Sequence, residues 1–230
     1  MEKVNSTNVC GKTVTIYQDT EAALSAPVVY LMLYSGQGRE VRDACRSLGC
    51  PPFTLAAVGD IDWDDEMTPW PHAPVFKGDD GYKGKASDFL ERLITAVVPY
   101  AESVAVAVPA YSALAGYSLG GLFAAWSMFQ KTPFTRFLSA SGSLWYPGFL
   151  DYAAETGFIK PPDFVCLSLG DRESAAKNRI LASVGECTQN FYTLLKEKNI
   201  PSAFEMNAGN HFADADLRTA KGIRTLLEHV

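Results

Sequence analysis

Two hydrophobic periods alternate along this chain. Near-continuous apolar runs at 28–33, 54–58, 113–117, 137–140, 164–169 and 203–206 have the length of buried strands. Residues 13–17 alternate apolar and polar positions, as on a half-buried edge or hairpin strand. Between these runs the spacing changes to that of helices. Over 87–98, Phe89, Leu90, Leu93, Ile94 and Val97 share one face. Leu119, Leu122, Phe123 and Trp126 space a helix that stops before Pro133, and further helices are predicted over 180–198 and 217–227. The Val/Ala alternation at 104–109 fits strand and helix equally. Strands that alternate with helices predict an α/β fold, a doubly wound, mostly parallel sheet with helices on both faces. With no repeat and no linker along the way, one domain over 1–230 is expected.

Two segments break the pattern. Residues 60–84 form a long excursion rich in Asp, Pro, Gly and Trp, and 141–162 a loop with short helical pieces; excursions of this length inside a domain are usually functional. The excursion begins Asp60-Ile61-Asp62-Trp63-Asp64, like a calcium loop. That motif needs glycine sixth and glutamate twelfth, and Asp65 and Pro71 stand there instead, so no metal is expected.

The run at 113–117 leads directly into Gly116-Tyr117-Ser118-Leu119-Gly120, followed by Gly121 and the helix. A serine between glycines at a strand-to-helix turn is the sequence form of a nucleophile elbow, which lifts the hydroxyl above the sheet. About one chain in ten of this length and composition would contain the five-residue pattern by chance, so its context has to carry the argument.

Composition narrows the partners. A net charge of −6 offers no basic surface for a phosphate backbone, so nucleic acid is not expected. No stretch reaches the length of a membrane span, and the first residues lack the apolar core of a signal peptide. Five cysteines without a CxxC pair fit a reduced compartment, and cytoplasmic location is the expectation.

In doubly wound sheets ligands gather beyond the carboxyl ends of strands. Past the 164–169 run stand Asp171 and Glu173, with Arg172 between them, and past the 203–206 run stands Gly209-Asn210-His211. The order Ser118, then Asp171 or Glu173, then His211 is that of a hydrolase triad. Of the other histidines, His229 closes the last helix and His72 sits in the excursion, a position from which it can line a pocket. His211 is the candidate base, and the residues alone leave the acid open between Glu173 and Asp171. Backbone N–H donors for an oxyanion are expected from Leu119 and from the glycine-rich turn at Gly36 or Gln37. Trp63, Trp70 and Trp145 follow strand ends and are candidates for an apolar substrate wall, with Tyr117 and Arg172 beside the site. Arg39, Arg42 and Arg172 are candidates for the pocket mouth, where they would admit an anionic substrate.

These motifs, with Ser141-Gly142-Ser143-Leu144-Trp145 and Leu169-Gly170-Asp171-Arg172-Glu173, resemble the esterase D and enterochelin esterase branch of the α/β-hydrolase superfamily. The resemblance runs from about Pro27 to the C-terminus. It implies the α/β-hydrolase fold, serine esterase activity without a cofactor, and an acid three residues after the glycine ending its strand, which falls on Glu173. The chain lacks room for the extra N-terminal domain of cytoplasmic enterochelin esterases, and Tyr34-Ser35-Gly36 replaces the Asp-Gly of many relatives. The resulting expectation is hydrolysis of a small-molecule carboxylic ester by an enzyme like the siderophore esterases, while turnover of a bulky catecholate trilactone does not follow from the resemblance. Acyl transfer on the same fold and a catalytically silent binding domain are the alternatives.

Overall fold

The computed structural model describes residues 2–19, 25–75, 78, 80–105 and 108–229. The chain opens with an antiparallel hairpin, β1 (Glu2–Val9) and β2 (Lys12–Asp19), turning at Cys10 and Gly11. Then follow β3 (Val28–Met32), α1 (Arg39–Ser47) and β4 (Thr54–Val58). The excursion holds a one-turn helix, α2 (Trp63–Glu66), and a short pair, β5 (Pro71–His72) with β6 (Tyr82–Lys83). A helical rod comes next: α3 (Ala86–Arg92), a π-helical turn at Leu93–Val97, and α4 (Val98–Ala105). The second half runs β7 (Ser112–Tyr117), α5 (Leu119–Ser127), β8 (Arg136–Ala140), α6 (Phe149–Glu155) and β9 (Phe164–Gly170). After a 3-10 turn at Glu173–Ala175 come α7 (Arg179–Ala182), α8 (Val184–Glu197), β10 (Ser202–Asn207) and α9 (Ala215–Glu228).

Among the described residues eight strands form one sheet, ordered β1-β2-β4-β3-β7-β8-β9-β10. Pairing is antiparallel from β1 to β4 and parallel from there on. The pleat assigns the core to two layers. Val28, Tyr30 and Met32 face the apolar side of α3, α5, α6 and α8, and Val29 and Leu31 face α1 and α9. Strands buried on both faces read as continuous apolar runs, which is why they stood out in the sequence.

The order in which successive strands are added reverses at β3. From β3 the order proceeds to β4 on one side and to β7 on the other, so the carboxyl ends of β3 and β7 flank the crevice where such sheets bind ligands.

Four elements differ from the sequence expectation, one being the single helix expected over 180–198, which breaks at Ser183 into α7 and α8. β1 is mostly exposed and has no apolar period to reveal it. In α1 only Val41, Arg42 and Cys45 are buried. Arg42 does the work of an apolar residue there, its guanidinium lying over the Phe53 ring and pairing with Glu2 and Asp19. The helix expected at 87–98 continues to 105. The turn at Leu93–Val97 widens ahead of Pro99, whose ring and missing N–H a regular turn would not accommodate. Within the ambiguous 104–109 segment, 104–105 end α4 and residues 106–107 lie outside the described residues. Among the described residues no helix is long and apolar enough to cross a membrane.

Candidate active site

Ser118 caps α5 with φ 56° and ψ −122°, a strained conformation for a residue with a side chain. Its neighbours account for the strain. A Cβ on Gly116 would overlap the Gly120 carbonyl, and one on Gly120 would press on Trp63 and Met32. The turn is pinned from β8: Ser118 N–H donates to Ala140 O (3.1 Å), and Ser143 N–H donates to Ser118 O (2.9 Å). The hydroxyl thus stands over the crevice between β3 and β7.

His211 and Glu173 converge on it. His211 Nε2 lies 3.0 Å from Ser118 Oγ, and His211 Nδ1 lies 2.8 Å from Glu173 Oε2. The other carboxylate oxygen of Glu173 accepts from Ser141 Oγ (2.7 Å), Gly170 N–H (2.7 Å) and Arg218 Nη1 (3.1 Å). Burial of Glu173 by itself raises its pKa. Hydrogen bonds from His211, Ser141 and Gly170, with the His211 charge, outweigh that and hold the carboxyl below its ordinary range. An ionised acid on Nδ1 keeps that nitrogen protonated and leaves Nε2 as the acceptor facing the serine.

The loop bearing His211 is braced from several sides. Tyr117 donates through its hydroxyl to His211 O (2.6 Å) and sets its ring 5.4 Å from the imidazole. Asp171 accepts from Gly209 N–H (2.8 Å) and makes no bond to the imidazole, so the two acids have separate placements. Arg218 is buried and also donates to Ala208 O (2.8 Å) and to the Tyr117 hydroxyl (3.3 Å).

Two chambers flank the serine. The first, about 400 Å³, extends from the turn after β3 to the start of α9. The second, about 350 Å³, lies toward α8 and is walled by Trp145 and Ser143. Trp63 and His211 border both. The short helix α2 holds Trp63 there through buried carboxylates. Asp65 accepts from Lys83 and Lys85, and Glu66 from Lys12 and Arg92.

Other candidates from the sequence fall elsewhere. Trp70 lines neither chamber; its indole donates to Pro147 O (2.9 Å) and packs on Tyr146 and Tyr152. Gly36 and Gln37 line neither chamber, and Gln37 O accepts the Tyr17 hydroxyl. Leu33, Tyr34 and Ser35 border the first chamber from that turn, and the Leu33 N–H is already bonded to Val58 O. Arg172 borders an outer groove with Asn210 and Phe212. His72 stands on β5 against the Tyr146 ring, and His229 stacks on Phe164. Among the described residues no grouping of His, Cys, Asp and Glu has the arrangement of a metal site.

Sequence reading missed Arg218. A signal was present: Arg218, Gly222 and Leu226 lie at i, i+4 and i+8 of α9, so the arginine occupies the buried stripe. Ser141, which carries a positive φ of 44°, also went unassigned, although it heads a second serine-glycine turn past a strand end.

The sheet order, the crevice and the elbow are those of the α/β-hydrolase fold. The chain shares this fold with a series of solved esterases and serine hydrolases. An IroE-like serine hydrolase from Shewanella oneidensis superposes with a TM-score of 0.78 at 19% identity, covering 99% of this chain and 80% of that one. The siderophore hydrolase EstA from Aspergillus nidulans gives 0.75 at 21% identity, covering 94% and 89%. The enterobactin and salmochelin hydrolase IroE gives 0.70 at 18% identity, covering 99% and 95%. In sequence, the uncharacterized protein YbbA of Bacillus subtilis is 27% identical over 183 residues, 75% of this chain and 72% of its own. No protein-family model matches the chain.

Proposed function

We propose that this chain is a serine hydrolase of small-molecule carboxylic esters. The observation that carries the reading is the continuous relay from Ser118 Oγ to His211 Nε2 and from His211 Nδ1 to Glu173 Oε2, at 3.0 and 2.8 Å. Ser118 Oγ attacks the ester carbonyl carbon as His211 takes its proton, and Glu173 stabilises the imidazolium that forms. Leu119 is the first residue of α5, so its N–H has no acceptor within the helix and is available to the oxyanion. The second donor is assigned to the turn after β3, at Tyr34 or Ser35, which border the chamber, ahead of Gly36 and Gln37. Collapse of the tetrahedral intermediate breaks the bond to the alcohol, which leaves with the proton from His211. Water repeats the sequence on the acyl-enzyme, releasing the acid and restoring Ser118.

The chambers on either side of Ser118 suit an acyl group and an alcohol group of moderate size. Siderophore esters belong in the substrate panel because several structural neighbours are siderophore hydrolases. Five free cysteines, two of them buried, support a cytoplasmic setting. A fluorophosphonate probe should label Ser118, and Ser118→Ala should abolish both labelling and hydrolysis of a short-chain nitrophenyl ester. Retention of hydrolysis by the alanine variant would refute the reading.

A further inference from the structure

The charge around the crevice is one-sided. Asp216 stands in the wall of the first chamber and Asp64 in that of the second, and among the described residues no lysine or arginine lines either. The arginines that the sequence offered for the mouth are engaged elsewhere. Arg42 is buried against Glu2 and Asp19, Arg39 is paired with Glu2, and Arg172 borders only the outer groove. Among the described residues, an anionic group beside Ser118 would therefore meet a carboxylate and no lysine or arginine.

The two carboxylates differ. Asp64 has an interaction partner within the protein, whereas Asp216 makes no hydrogen bond or ion pair among the described residues. Partial burial, and then the neighbouring Glu40 carboxylate, push the Asp216 pKa above its ordinary value. Both effects are relieved by a cation. The same chamber is rimmed by aromatic faces left open to solvent, Phe212 at 88% and Tyr34 at 73% exposure, with Trp63 set edge-on 5.5 Å from Tyr34. Large exposed aromatics beside a nucleophile mark a surface that a ligand covers. Aromatic faces with an unpaired carboxylate are the combination that binds alkylammonium groups, through cation–π attraction and charge.

We propose that the first chamber selects the ammonium-bearing portion of a cationic ester, with Asp216 as the specificity-determining carboxylate and Tyr34, Trp63 and Phe212 as its aromatic walls. This rests on the ester-hydrolase reading above and adds the charge class of its substrate. A chamber of 400 Å³ is about 9 Å across if taken as a sphere, so a charge bound at its centre lies about half a Debye length from the wall that holds Asp216. With the screening of a half-exposed site, one favourable charge corresponds to about a three- to tenfold preference.

The test uses the purified full chain and three esters of equal length and leaving group, ending in trimethylammonium, in its uncharged tert-butyl isostere, or in carboxylate. A matched set carries the same groups on the alcohol side, so that whichever half enters the first chamber is sampled. The expected order of kcat/KM is ammonium, then neutral, then carboxylate, and raising the salt concentration should narrow the spread. Asp216→Asn should lower the ammonium-to-neutral ratio about three- to tenfold, a ratio that cancels any general loss of activity. Glu228→Gln, at the far end of α9, should leave the ratio unchanged. Protection of Ser118 from fluorophosphonate labelling by choline over its tert-butyl isostere gives a second readout that needs no turnover. An equal rate for all three esters in both sets, or a ratio indifferent to Asp216→Asn, overturns the proposal while leaving the hydrolase reading in place. Failure of Ser118 to label or of every ester to turn over, by contrast, overturns the hydrolase reading, and this proposal with it.

Discussion

Glu173→Gln isolates the role of charge in the relay while keeping its shape. The Oε1 position of Glu173 accepts from Gly170 N–H and from Arg218, neither of which can do anything but donate. The amide oxygen of glutamine must therefore occupy that position, which turns its NH₂ toward His211 Nδ1. A donor facing Nδ1 makes that nitrogen an acceptor and moves the imidazole proton to Nε2. Nε2–H then faces Ser118 and cannot take its proton. The expected loss in kcat/KM is about 10³- to 10⁴-fold, or about 4–5.5 kcal/mol of transition-state stabilisation.

The substitution also leaves Arg218 without its anion. Both side chains of the pair are 2% exposed. Breaking a buried pair from one side costs about 3–5 kcal/mol, so a drop in Tm of about 6–12 °C is expected at the lower figure. Rates should be measured well below the new Tm, with circular dichroism confirming the fold. The pH dependence carries a sign. The Glu173 carboxyl is held below its ordinary pKa in the folded protein, so its contribution to stability is complete above the ordinary value and lost as pH falls through the folded one. The gap in Tm between parent and variant should close over that acidic window. A folded glutamine variant retaining kcat/KM within tenfold of the parent would refute the tautomer argument.

Two further substitutions probe the scaffold around the relay. Gly116→Ala places a methyl group against the Gly120 carbonyl and should cost about 3 kcal/mol or more, with Ser118 labelling slowed; an unchanged Tm would contradict the close approach. Arg218→Lys keeps the charge but loses the fork that joins Glu173, Tyr117 and Ala208. It should reduce kcat/KM about tenfold and lower Tm less than Arg218→Met does, and equal Tm values for the two variants would argue that the charge on Glu173 is not what Arg218 provides.

How far the sequence reaches can be judged residue by residue. The buried strands, the elbow at Ser118 and the loop bearing His211 were legible because each is written locally, in an apolar run, a glycine pattern or a position just past a strand. Strand β1 and helix α1 were not, since β1 is a polar edge strand and α1 buries only Val41 and Cys45 beside an arginine. The same limit applied at the site. Asp171 and Glu173 are two residues apart on one turn, and nothing in their own residues distinguishes them; the family resemblance favoured Glu173. In space they separate, because Ser141, Gly170 and Arg218 gather around one carboxylate while Gly209 takes the other.

By itself, then, the sequence determined the class of fold, its buried central strands and the identity of the serine and histidine candidates. Tertiary structure alone decided which acid meets the imidazole, that Trp63 and Trp145 line the chambers and Trp70 does not, and that Arg39 and Arg42 are unavailable at the mouth. The physical reason is range. Backbone conformation follows from neighbours a few residues away, whereas desolvation and charge pairing are set by groups such as Glu173 and Arg218, 45 positions apart, which only the folded sheet brings together.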